Sequence, residues 1–147
     1  MCLHTINPVV RVADCDIVCY KVVTSSNKKQ PKPGRYKSIW YDFVYELNHT
    51  YTEKEFCLGR DELIYDVFMR EWLVNIGFHS FTYPNGNGPI DRGEFQVKCI
   101  IPKGAVYYES KDGAERCSNK IRIIAEWSET TNAWIVPYIP PTEKKKK

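Results

Sequence analysis

The residues best placed to do chemistry lie in three short phrases between Gly77 and Ser118. Gly77-Phe78-His79-Ser80-Phe81 sets an imidazole beside a hydroxyl, behind a glycine. Histidine changes charge near neutral pH, so His79 is the candidate acid, base or ligand hydrogen-bonder, with Ser80 as a second contact. Ile100-Ile101-Pro102-Lys103-Gly104-Ala105 is a hydrophobic strand ending in a Pro-Lys-Gly turn. Ser118-Asn119-Lys120-Ile121 opens another hydrophobic strand. Together the phrases mark a candidate pocket. The competing reading makes His79 a packed ring bonded to backbone and Ser80 an ordinary strand residue. Glu109 and Glu115 flank a turn, where solvation accounts for them and catalysis is the alternative.

Other chemistries lack their signatures. There is no Gly-x-Ser-x-Gly elbow, phosphate loop or dinucleotide glycine motif. The six cysteines contain no Cys-x-x-Cys pair, and His4, His49 and His79 lie at no zinc spacing, so no metal or other cofactor is expected. The first sixteen residues mix apolar and polar side chains around Pro8, unlike a signal segment. The expectation is therefore a cytoplasmic chain with reduced thiols. No apolar run reaches membrane-spanning length.

These side chains need a scaffold, and 147 residues suffice for one domain with a core. Ten tyrosines and four tryptophans, with many β-branched residues, favour strands. The net charge of +3 comes from Lys144–Lys147, without which the 18 acidic residues outnumber the basic ones by one. The body has no basic footprint, which argues against nucleic acid. The expected organisation is a single domain over 1–143 and a disordered lysine tail over 144–147.

Period-two and β-branched patterns predict strands over Asp16–Thr24, Tyr36–Leu47, Phe78–Tyr83, Glu94–Ile101, Ala105–Glu109, Lys120–Trp127 and Ala133–Ile139. Turns are expected at Pro102–Gly104 and Lys111–Gly113. Loops are expected at Ser25–Gly34, which is basic, and at Pro84–Pro89, a natural lid. Leu63, Ile64, Val67, Phe68, Trp72 and Leu73 recur at helical spacing, so Arg60–Asn75 is the predicted helix, ended by Gly77. Tyr83, Tyr107, Tyr108 and Trp127 are core aromatics or, alternatively, a stacking surface.

Two resemblances add to this reading. Met1-Cys2-Leu3-His4, Asp16–Val22, Gly77–Phe81 and Cys99–Ala105 look like segments of small uncharacterised proteins of gut bacteria and their phages. That likeness implies a phage accessory role in a host cytoplasm and confers no activity. The order of phrases over Asp16–Ile124 also resembles the ADP-ribosyltransferase fold. There Tyr20-Lys21 stands where an aromatic and basic pair grips a dinucleotide, and Gly77, Phe78 and Ser80 match the serine strand. Lys120 stands near the place of the catalytic glutamate, where a positive charge opposes an oxocarbenium-like transition state. Glu115 lies just upstream.

The sequence thus predicts a strand-dominated single α+β domain with one main helix, for which the second resemblance implies an ADP-ribosyltransferase-like architecture. Its expected function is non-catalytic binding of a nucleotide-like small molecule through Tyr20, Lys21, His79, Ser80 and Lys120. The alternatives are a divergent transferase or glycohydrolase using Glu115 and His79, and a module that binds a host protein or a virion. The sequence leaves the ligand and the oligomeric state open.

Overall fold

A computed structural model describes residues 3–25, 33–38, 43–84 and 94–138. Most of the expected Pro84–Pro89 lid, most of the basic loop and the lysine tail lie outside them. In chain order the strands begin with β1 (Leu3–Thr5), β2 (Arg11–Val12), β3 (Ile17–Ser25), β4 (Arg35–Ser38) and β5 (Val44–Glu46). They continue with β6 (Thr50–Thr52), β7 (Ile64–Asp66), β8 (Glu71–Val74), β9 (Phe78–Phe81) and β10 (Glu94–Ile101). β11 (Val106–Glu109), β12 (Glu115–Ser118), β13 (Lys120–Ser128) and β14 (Ala133–Ile135) complete the strands of the described residues. Among the described residues the only helical segment is a three-residue 3-10 turn, Arg60–Glu62.

The fold is therefore almost wholly antiparallel β, and the expected α+β class with a main helix is wrong. The ADP-ribosyltransferase-like architecture falls with it. The segment predicted as a helix is the β7–β8 hairpin, with Tyr65 opposite Trp72. Two causes favour the hairpin. Ile64, Tyr65, Val67, Phe68, Trp72 and Val74 are β-branched or aromatic. Arg70 adopts φ 58°, a left-handed conformation that ends any helix and closes a turn. Gly77 ends no helix either. It has φ +140°, and a Cβ there would sit 2.6 Å from Cys117 Sγ and 2.9 Å from the Phe56 ring. The glycine is needed where the chain enters β9 against that packing.

Among the described residues an eleven-stranded sheet runs β14-β13-β10-β3-β9-β12-β11-β2, with β4, β5 and β6 off this path, and the long strands β3 and β13 fork. β3 pairs with β9 at Tyr20 and with β4 from Val23 to Ser25. β13 pairs with β6 from Lys120 to Arg122 and with β14 from Glu126 to Ser128. The predicted single strand Tyr36–Leu47 is instead the β4–β5 pair, with Tyr36 opposite Tyr45. Tyr36 and Tyr45 join Val23, Val97, Ile101, Ile121 and Ile123 in the main core. A three-stranded sheet, β1-β8-β7, packs Leu3 and Val74 with Phe56, Tyr108 and Cys117 in a second core. No helix of the described residues is long and apolar enough to cross a membrane.

Candidate functional site

Strand order brings part of the predicted site together inside the protein. β12 sets Cys117 opposite His79 and Arg116 opposite Ser80. His79 and Ser80 are buried, 7% and 2% exposed. Lys21 reaches from β3 and donates from Nζ to the His79 carbonyl oxygen. Its amine lies 5.6 Å from the Tyr45 ring centroid. Burial lowers the Lys21 pKa against the opposing pull of the Cys99, Cys19 and Cys117 thiols.

His79 Nε2 lies 3.1 Å from the Val74 carbonyl, which only accepts, so Nε2 carries the ring proton. Nδ1 faces Cys117 Sγ at 4.0 Å. Burial pushes the His79 pKa down to about 4, opposed by the Val74 bond. A neutral imidazole with both nitrogens turned inward is a structural element and a poor proton shuttle for an external ligand.

The other predicted contacts point elsewhere. Successive side chains on a strand project to opposite faces, so Tyr20 and Lys21 cannot grip one ligand. Tyr20 packs against Trp134 at 5.5 Å between centroids. Lys120 opens β13 opposite Thr52 and stands outside the Lys21–His79 contact. Among the aromatics considered for stacking, Tyr108 is core and Tyr83 is exposed.

Glu115 lines a cleft that sequence reasoning did not assemble. The cleft encloses ≈ 300 Å³ and also involves His4, Met69, Glu71, Lys111 and Asp112. Glu71 is 4% exposed and accepts hydrogen bonds from His4 Nδ1 at 3.1 Å and from Lys111 Nζ. The Lys111 hydrogen bond holds the Glu71 carboxyl below its usual range, against the cost of burial. Burial and the nearby Asp112 raise Glu115. The two carboxylates are thus pushed apart in pKa. Glu71 was hidden inside the misread helix, and only its place opposite Asp66 in a hairpin reveals it.

A second cleft of ≈ 520 Å³ adjoins the first, sharing Ser110, Lys111 and Asp112. Its far wall includes Ile6, Asn7, Val9 and Arg11. Arg11 Nε lies 3.5 Å from Glu109 Oε1, while Arg116 Nε holds Oε2 of that carboxylate at 3.2 Å.

Met69, at the smaller cleft, belongs to an apolar tip. Val67, Phe68 and Met69 are 67%, 93% and 59% exposed. The tip is nevertheless ordered by hydrogen bonds. Asp66 Oδ1 accepts from the Phe68 and Met69 amides, and the Asp66 carbonyl accepts from Arg70 N at 2.7 Å. Aspartate bonding to backbone two residues on is a local turn device, and it was the available sequence signal. Tyr65 and Trp72 brace the stem at 4.9 Å between centroids, with Arg60 over Trp72.

Comparison of the chain with protein-family models, curated proteins and solved structures finds no match.

Proposed function

We propose that this chain is a non-catalytic binding protein that engages a folded protein partner through the β7–β8 hairpin. The observation that carries this reading is the run Val67-Phe68-Met69, three consecutive apolar side chains held out on an ordered turn. Contiguous exposed apolar residues cost solubility and mark interaction surfaces. An ordered aromatic anchor also loses little conformational freedom on docking. The adjacent cleft supplies a charged rim, with Lys111 and Glu115 beside Met69. The experiment is affinity capture with the wild-type chain, followed by cross-linking mass spectrometry. The reading holds if cross-links place the captured protein against Lys111 and Arg70, and if Phe68→Ser abolishes capture. Undiminished capture by Phe68→Ser would refute it.

A second reading rests on the larger cleft. At ≈ 520 Å³ it falls within the usual range for small-molecule sites. Arg11 and Lys111 would face phosphate, and the exposed Ile6 and Val9 would face a base. Calorimetry with mono- and dinucleotides on wild type and Arg11→Ala tests it. No heat from either protein would remove it.

A further inference from the structure

The central strands β3 and β10 place Cys19 directly opposite Cys99. Both side chains are fully buried and both thiols are free. Directly opposed residues of an antiparallel pair have Cα separations of about 4.5–5.5 Å, inside the range a disulfide bridges. The two thiols face each other across the pairing, and they are not equivalent. Cys19 is stabilised as thiolate by Cys99, Ser80, Lys21 and Arg116 against burial, whereas burial pushes Cys99 up. Ser80 Oγ is buried without a hydrogen-bond partner, so its hydroxyl is available to a thiolate at Cys19.

We propose that Cys19 and Cys99 are a redox pair, converted by hydrogen peroxide into a disulfide that ties β3 to β10. The Cys19 thiolate attacks a peroxide oxygen and the O–O bond breaks. This leaves Cys19 sulfenic acid and a hydroxide, which becomes water on taking up the proton that Cys19 released. The Cys99 sulfur then attacks the Cys19 sulfur. The S–O bond breaks, and the leaving hydroxide takes the Cys99 proton as a second water. Two thiols are oxidised by two electrons and one peroxide is reduced. Because the pair is out of solvent, the oxidant must be this small and enter during local opening.

The test is peptide mapping of the full chain after peroxide treatment, under non-reducing conditions. The expected product is a Cys19–Cys99 linked peptide, lighter by two hydrogens and lost on reduction. Cys99→Ala should accumulate a dimedone-trapped sulfenic acid on Cys19, and Cys19→Ala should leave Cys99 unlabelled. The proposal is overturned if wild-type Cys19 and Cys99 remain alkylatable after unfolding when exposed Cys15 is already oxidised. Dimedone labelling of Cys99 in Cys19→Ala would overturn the assignment of the attacking thiol.

Discussion

Asp66 Oδ1 accepts the Phe68 amide proton, N to O 3.0 Å, so a carboxylate two residues upstream fixes the most exposed aromatic ring described in the chain. The same oxygen accepts from Met69 at 3.2 Å. Order at this tip is thus built from the backbone, leaving the apolar side chains unengaged.

Asp66→Ala removes both acceptor contacts. By analogy with the loss of a side-chain cap, stability should fall by about 1 kcal/mol. Amide exchange should accelerate at Phe68 and Met69 and stay unchanged in β10. Uniform acceleration across the chain would show that the carboxylate has a wider role.

Phe68→Ser separates binding from folding. A ring that is 93% exposed contributes little to the core, so stability should change by less than about 0.5 kcal/mol. Partner capture should be lost. Chemical denaturation and capture on the same preparation check the two halves.

Glu71 gives a pH dependence at the acid end. Its folded pKa is lowered, chiefly by the Lys111 hydrogen bond, from an ordinary 4.5. Its contribution is therefore present above 4.5 and is lost as pH falls through the lower folded value. Glu71→Gln should flatten that part of the stability profile, and Lys111→Met should shift it towards 4.5.

His79 acts in a window that lies mostly above that of Glu71. Its folded pKa is about 4 against an ordinary 6.5. Above 6.5 the ring is neutral in both states. As pH falls from 6.5 to about 4, the unfolded chain takes up a proton that the folded chain refuses, so stability drops. The full loss is on the order of 3 kcal/mol. His79→Gln should remove the slope between these values, and the His79 ring resonances should stay unshifted through pH 6 in the native protein.

Gly77→Ala should be among the most damaging small substitutions. It combines φ +140° with a methyl 2.6 Å from Cys117 Sγ. A loss of more than about 2 kcal/mol is expected, read as a lowered unfolding midpoint.

The long strands were readable because their residues alternate against one core. β3 and β10 occupy the segments that the β-branched runs marked, and Pro102–Gly104 turns with Ala105 N bonded to the Pro102 carbonyl. The hairpin was unreadable by periodicity because its apolar residues serve different environments. Val67 and Phe68 face solvent, while Leu63 packs against the second core, yet together they imitate a helical stripe. At the site, sequence proximity to His79 identified Ser80 and β3 supplied Lys21, but burial turned the group into a structural seam. Glu71 and His4 come together through the pairing of β1 with β8, and Lys111 joins them from the β11–β12 turn through its amide bond to the His4 carbonyl, which no local pattern encodes.

The pairing of β3 with β10 also has a kinetic meaning. Synthesis delivers β3 early, but one flank stays bare until the chain has reached Ile101. During that interval a long, valine-rich segment is open to pairing with any other strand edge nearby. Long sequence separation between partners also slows the search for the native pairing. Yield in the cell should therefore depend on elongation speed and chaperone supply more steeply than the stability of the finished sheet implies.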